Sequence, residues 1–250
     1  MSIVTRKSPR EIDLMRHAGR IVAEVLALVE SELRPGVSTG TLDEMAERHI
    51  REAGAVPSFK GYYDYPASLC ISIDDEVVHG IPGDRRIKAG QVVSIDAGAI
   101  WQGYHGDAAR TFIVGEVAEP VRRLVDDTRL ALMAGIAAAR PGAHLGDISA
   151  AVEAIGAPAG YGIVRQYVGH GIGTRMHEAP QVPNYTTGQR GLKLVPGICL
   201  AIEPMFTLGT WECDVRPDGW TVITRDGSLA AHFEHTLAIT EDGPEILTTV

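Results

Sequence analysis

Residues 88–96 read K-A-G-Q-V-V-S-I-D, and residues 195–203 read V-P-G-I-C-L-A-I-E. Gly90 and Gly197, Ile95 and Ile202, and Asp96 and Glu203 all stand the same 107 positions apart. Each stretch is a short apolar run that follows a turn-forming glycine and ends on an acid. Side chains alternate across a strand, so Asp96 shares a face with Val92 and Ser94, while Val93 and Ile95 take the other. The similarity extends outward. Thr111-Phe-Ile-Val-Gly-Glu116 resembles Thr236-Leu-Ala-Ile-Thr-Glu241.

Upstream of each acid lies a pair of helices. Ser8, Pro9 and Glu11 form an S-x-x-E capping box with proline at the first helical position. Ile12, Met15, Gly19, Val22, Leu26, Val29 and Leu33 then recur at steps of three and four, one apolar stripe. Arg34-Pro35-Gly36 stops that helix. A shorter helix follows from Thr41 to about Ala53, with Thr41 and Glu44 as a second capping box and Gly54 at its end. Pro120 starts another long helix, striped by Val121, Leu124, Val125, Thr128, Leu132, Gly135 and Ile136. It stops at Arg140-Pro141-Gly142, and Gly146 repeats Gly40 ahead of a short helix. Between the helical pairs, Ser68–Val78 reads as two short strands around Asp74-Asp75. Gln91–Ile100 reads as a strand, Gln102–Gly106 as a turn and Ala108–Val114 as the hairpin partner. The chain is therefore expected to be one α/β (α+β) domain, 1–250, of two pseudo-symmetric halves, roughly 1–118 and 119–250, with helices packed on a sheet.

Composition narrows the function classes. The 250 residues are 45% apolar, carry a net charge of −9 and hold three cysteines. No basic stripe suggests nucleic-acid recognition. No apolar run approaches a membrane span or a signal-peptide core. Three scattered cysteines suggest a reducing compartment rather than a disulfide framework, and a cytoplasmic protein is expected.

Hairpin geometry returns Asp107 toward Asp96, and the second half supplies Glu203 and Glu234. Four converging carboxylates would repel one another and take up protons unless cations balanced them. Two divalent ions would do so, and metal binding also acidifies water. His170, walled by Gly169 and Gly171, adds one imidazole. One nitrogen among oxygens suits manganese, iron, cobalt or zinc in a reactive site better than a structural zinc, which favours thiolates. Gly169-x-Gly171-x-Gly173 lacks the dinucleotide-binding spacing, and neither a G-x-S-x-G elbow nor an H-E-x-x-H helix is present.

Taken together, Val77-Val-His-Gly-Ile-Pro82, Ser94-Ile-Asp-Ala-Gly98 with Gly106-Asp107, Gly169-His-Gly-Ile-Gly173, Met176-His-Glu178 with Pro180, Ile202-Glu-Pro-Met205 and Phe233-Glu-His-Thr236 resemble the bacterial type I methionine aminopeptidases. The resemblance covers nearly the whole chain. It implies a pita-bread fold, with a central antiparallel curved sheet and helices on its outer face, around two divalent metals. It implies Asp96, Asp107, His170, Glu203 and Glu234 as ligands, with Glu203 also moving the proton of the attacking water. His79 would meet the substrate amine or scissile amide, and His177 would stabilise the oxyanion. Phe59, Tyr62, Tyr65, Cys70, Met176 and Trp220 match the methionine pocket. Some relatives carry cysteine in place of Phe59 and phenylalanine in place of Met176, and some carry threonine at the positions of Gly98 and Ala201. The implied reaction is removal of the first methionine from peptides and nascent chains with a small second residue. The enzyme would be a monomer whose contact with ribosomes is transient. Two alternatives stay open: an X-Pro dipeptidase of the same fold, which usually carries a further amino-terminal domain, and a non-catalytic binding scaffold. The short lead before the first helix fits the bacterial subtype.

Overall fold

The computed structural model describes residues 4–250. The first half runs α1 (Pro9–Glu32), α2 (Thr39–Glu52), β1 (Val56–Pro57), β2 (Leu69–Ile73), β3 (Glu76–Val78), β4 (Gln91–Trp101) and β5 (Tyr104–Val114). The second runs α3 (Glu119–Ala138), α4 (Leu145–Ala159), β6 (Gly162–Ile163), β7 (Gly169–Gly171), β8 (Glu178–Val182), β9 (Cys199–Ile202), β10 (Met205–Thr207), β11 (Cys213–Val215), β12 (Val222–Thr224), β13 (Ala230–His232), β14 (His235–Thr240) and β15 (Gly243–Ile246).

The capping box of α1 forms as read: Ser8 Oγ accepts the Glu11 N–H, and the Glu11 carboxylate accepts the Ser8 N–H at 2.7 Å. The stripe of α1 is buried, with Met15, Val22, Leu26 and Val29 fully covered. Burying each such side chain is worth about 1.5–3 kcal/mol. Two expectations need correcting. Helix α2 starts at Thr39, because Ser38 rather than Thr41 is its cap: the Thr41 N–H donates to Ser38 Oγ at 3.1 Å. The β4–β5 hairpin is longer than expected. Its turn is only Gln102-Gly103, both with positive φ (48° and 83°), the twist that a two-residue hairpin requires. Tyr104–Asp107 are therefore already strand.

Every strand pairing is antiparallel. β4 is flanked by β2, β1 and β5; β9 lies between β7 and β14 in the order β15-β14-β9-β7-β8. Helices α1 and α2 cover the first sheet through one apolar cluster that includes Leu26, Ile50, Ile71 and Ile95. Helices α3 and α4 cover the second through Leu124, Leu132, Ile148, Leu200 and Ile202. The halves repeat in register. Ser94 pairs with Thr111 and Ile95 with Arg110; the matching positions Ala201 and Ile202 pair with Thr236 and His235.

A seam joins the halves. The Asp107 N–H donates to Thr236 Oγ1 at 3.0 Å, and the Glu234 N–H donates to the Ala109 carbonyl at 2.9 Å. The Thr111 hydroxyl donates to the His232 carbonyl at 2.6 Å. β3 pairs with β12 across the same divide. Backbone polar groups are thus satisfied where strands of the two halves meet, and the side chains of Asp107 and Glu234 emerge at that meeting line.

Candidate metal centre

Asp96 and Asp107 share one face of the β4–β5 ladder, because Asp96 pairs with Ala109 and Asp107 with Gly98, a two-residue offset. Glu203 follows β9. Glu234 lies in the break between β13 and β14. His170 sits in β7, one strand over from Glu203's, paired with Ala201. One oxygen of Asp107, one oxygen of Glu234 and one ring nitrogen of His170 lie within 4.8 Å of each other. His170 Nε2 is 3.9 Å from Asp107 Oδ2 and 3.6 Å from Glu203 Oε1. His170 Nδ1 is 2.9 Å from the Gly171 carbonyl, the bond that leaves Nε2 facing the acids.

The electrostatics are those of an uncompensated anion cluster. Burial first, then Glu234 and Asp96, push the Asp107 carboxyl well above its ordinary range. Burial with Asp107 and Asp96 does the same to Glu203, and burial with Glu203 and Asp96 to Glu234. Burial also raises Asp96. Burial and the neighbouring His177 hold His170 down to about 3, so its ring is neutral. Asp96 Oδ1, Asp107 Oδ1 and Glu234 Oε1 are buried without a hydrogen-bond partner. An orphaned buried oxygen costs about 1–3 kcal/mol, and more when it carries charge. Divalent cations are the groups that fit: the donors are oxygen-rich, converge, and lack a basic side chain among them.

Next to the acids opens a cavity of about 240 Å³. It is lined by Phe59, Tyr62, Tyr65, Cys70, His79, Asp96, Asp107, His170, Met176, His177, Glu203, Trp220 and Glu234, so every ligand, histidine and pocket residue expected from the sequence meets there. Its apolar part is a cluster of Phe59, Tyr65, Cys70 and Met176, with Tyr62 and Trp220 against it. The one proton of the Tyr65 hydroxyl is shared between the Leu69 and Gly80 carbonyls, each 3.0 Å away, and Trp220 meets its ring edge-on at 5.0 Å. Burial pushes the Cys70 thiol up, so it lines the wall as a protonated, weakly polar group.

Two imidazoles flank the cavity. His79 has φ +61°, a strained angle for a residue with a side chain, of the kind that concentrates at functional sites. Burial holds His79 down to about 4. His177 Nδ1 lies 2.8 Å from the Tyr62 hydroxyl, and burial keeps that ring below the usual histidine value too. Neutral imidazoles donate or accept hydrogen bonds without adding charge.

Gly98 explains Phe59. A Cβ on Gly98 would stand 2.8 Å from Phe59 Cε1, so the ring fills space that a larger residue at 98 would occupy. The glycine at 98 and the phenylalanine at 59 are one packing solution.

Sequence reasoning passed over Tyr167, which lines the cavity and packs edge-on against His79 at 5.5 Å. It also passed over His232. That ring is buried, its Nε2 has no hydrogen-bond partner and lies 3.9 Å from Glu203 Oε2. The signal for His232 was the internal repeat: Met205 pairs with His232 as Gly98 pairs with Asp107, so His232 occupies the position of Asp107 in the second half.

The family model for metallopeptidase family M24 matches residues 13–241. The methionine aminopeptidase of Clostridium acetobutylicum is 51% identical over 243 residues, covering 97% of both chains. Methionine aminopeptidase 1 of Mycobacterium tuberculosis is 50% identical, covering 98% of this chain and 95% of its own. The crystal structure of the Thermotoga maritima methionine aminopeptidase superposes with a TM-score of 0.97 at 43% identity, covering 99% of this chain and all of that one. The prolidase of Pyrococcus furiosus is more distant, with a TM-score of 0.79 at 25% identity over 98% of this chain and 65% of that one.

Proposed function

Because the chain belongs to metallopeptidase family M24, and within it to the methionine aminopeptidases, we infer that it hydrolyses the first peptide bond of chains that begin with methionine. The observation that carries the reading is the joining of a largely buried four-carboxylate cluster to an apolar cavity with room for one amino-acid side chain. Asp96, Asp107, His170, Glu203 and Glu234 are the residues to hold two divalent ions of manganese, iron, cobalt or zinc. When bound, such ions offset the carboxylate charge, polarise the scissile carbonyl and acidify water.

The protein's own groups do the rest. Phe59, Tyr65, Cys70, Met176 and Trp220 enclose the methionine side chain, a soft thioether well suited to aromatic and sulfur walls. Glu203, held at the rim between His170 and His232, takes a proton from the attacking water and returns it to the leaving amine. The Tyr62 hydroxyl lies 2.8 Å from His177 Nδ1; with that hydroxyl as the donor, the imidazole proton sits on Nε2, where it meets the developing oxyanion. His79, fixed by its strained backbone and by Tyr167, faces the amide nitrogen that becomes the leaving amine. A small second residue is preferred because bulk beyond the scissile bond would press on the two imidazoles.

The register match between halves supports residues 1–250 acting as one catalytic domain. No helix among the described residues is long and apolar enough to cross a membrane. We take the enzyme to be a cytoplasmic monomer that meets nascent chains through brief ribosome contact. Sedimentation of the protein alone and with ribosomes tests the monomer and the ribosome contact. The defining experiment offers metal-loaded protein Met-Ala-Ser and Ala-Pro separately. Release of methionine from the first is expected; cleavage of Ala-Pro alone would make the chain a dipeptidase instead.

A further inference from the structure

Glu178 follows His177 in the chain, and its carboxylate is buried against Lys7, a residue 171 positions away. Their side chains are 2% and 5% exposed. Lys7 Nζ donates to Glu178 Oε2 at 2.8 Å, and the Thr5 hydroxyl donates to the same oxygen at 2.7 Å. Lys7 Nζ also donates to Thr5 Oγ1 at 2.6 Å, which ties the two donors together. The other oxygen, Glu178 Oε1, accepts the Arg175 N–H at 3.2 Å. One carboxylate therefore has two attachments. Through Oε1 it closes the turn 175–178, which aims Met176 into the cavity and His177 at its mouth. Through Oε2 its rotation is fixed by the amino-terminal segment.

That segment is anchored in its turn, for the Lys7 N–H donates to the Gly197 carbonyl at 2.6 Å. The packing is tight. A Cβ on Gly173 would meet Lys7 Cε at 2.4 Å and Glu178 Oε1 at 2.7 Å, so the last glycine of Gly169-His-Gly-Ile-Gly173 is the floor under the Lys7 stem. A buried ion pair adds little net stability, since desolvating both charges offsets their attraction; what it fixes is geometry.

We propose that Lys7 is a positioning residue for His177, holding the turn 175–178 through the Glu178 carboxylate so that His177 meets the substrate carbonyl. Tyr62 pins the ring at Nδ1, and Lys7 pins the backbone that carries it. The inference rests on His177 acting at the substrate, as argued above.

A double-mutant cycle tests it. Values of kcat and KM for Met-Ala-Ser are measured for metal-loaded wild type, Lys7→Met, His177→Ala and the double variant. Lys7→Met keeps the stem and removes the charge. The expected result is a fall in kcat of about tenfold with KM moved less than about threefold and metal content unchanged. In the His177→Ala background the same substitution should cost less than about twofold. An equal fall in both backgrounds overturns the proposal, as does a kcat for Lys7→Met within about twofold of wild type. A wild-type kcat for His177→Ala alone sinks the role of His177 itself, and the proposal with it. Should Lys7→Met fail to fold, Thr5→Val removes one donor from the same oxygen and runs the same cycle. A fall of about threefold that disappears without His177 supports the proposal, and one that persists overturns it.

Discussion

Threonine at position 98 should block the proposed methionine pocket unless Phe59 is removed as well. Gly98 lies beneath Phe59, and a Cβ there would stand 2.8 Å from both Phe59 Cε1 and Ser58 Cβ. Carbon–carbon contact needs about 3.5–4.0 Å, so something must move by roughly 1 Å. Ser58 has little freedom: its N–H donates to the Gly98 carbonyl at 2.9 Å, and its hydroxyl lies 3.0 Å from His105 Nδ1. The Phe59 ring moves instead, and its open side is the cavity. Overpacking of this kind costs about 1–3 kcal/mol. Because the displaced ring and the methionine side chain compete for one space, the cost falls on kcat/KM, a loss of roughly 5- to 150-fold at 1.4 kcal/mol per factor of ten. Phe59→Cys removes the competitor, so Phe59→Cys/Gly98→Thr should recover most of the loss. The assay is kcat/KM for Met-Ala-Ser across wild type, both single variants and the double. A coupling of at least about 1 kcal/mol is expected. Equal losses from Gly98→Thr with and without Phe59, or a loss below about twofold, would refute the reasoning.

Four further outcomes follow from the site. Glu203→Ala removes the group proposed as both ligand and proton carrier, so kcat should fall by at least about 100-fold; stopped assays with metal analysis check it, and near-wild-type turnover would refute the role. His177→Ala should slow turnover while bound metal, measured by emission spectrometry, stays at the wild-type level; a large metal loss would make His177 a ligand. Tyr62→Phe frees the tautomer of His177, and kcat should drop by about tenfold with KM nearly constant; an unchanged kcat would mean that the 2.8 Å contact does not govern catalysis. The fourth concerns pH. The four acids are raised, so the metal-free folded chain holds protons there that an unfolded chain releases as pH rises past about 4. Their contribution to stability is thus present at low pH and lost as pH rises toward the folded values. Metal addition at pH 6.5 should expel these protons, about one or more per ion, while the already neutral His170 releases none. Calorimetric titration in buffers of different ionisation enthalpy reads the number, and identical heats in all buffers would contradict it.

Much of the fold and of the placement of the acids was legible because those residue types stand out against their surroundings. An acid ending an apolar run, as Asp96 and Glu203 do, is conspicuous in any sequence. A capping box such as Ser8–Glu11 is local and needs no tertiary information. What escaped was set by distance. Ser38 and Thr41 both look like caps, and only the folded turn decides between them. The hairpin's true length depended on Gln102 accepting a positive φ, which side-chain pattern does not reveal. Lys7 carries no local mark at all; its partner is 171 residues away, and its burial becomes visible only once the Gly173 floor is built.

The duplicated scaffold produces a site that is not itself symmetric, and the departures from symmetry are where the chemistry divides. Across the seam, Asp107 faces Thr236, Ala109 faces Glu234 and Thr111 faces His232. A strict repeat would put the second half's outer acid at 232, beside Thr111 and four residues along the strand from Asp107, roughly 13 Å away. Moving it two positions to Glu234, in the break between β13 and β14, brings the carboxylate to within ion-sharing reach of Asp107 and His170. The vacated position holds His232, whose nitrogen flanks Glu203. The inner strands diverge in the same way. His170 pairs with Ala201 where Ser72 pairs with Ser94, and these are matching positions of the two halves. The second half thus places an imidazole where the first has only a small hydroxyl, and Cys70, next along β2 on that face, opens onto the apolar pocket instead. Repeated strands bring the backbone close enough to gather charge, while the unequal side chains place the imidazole beside the acids in one half and the apolar cavity wall chiefly in the other.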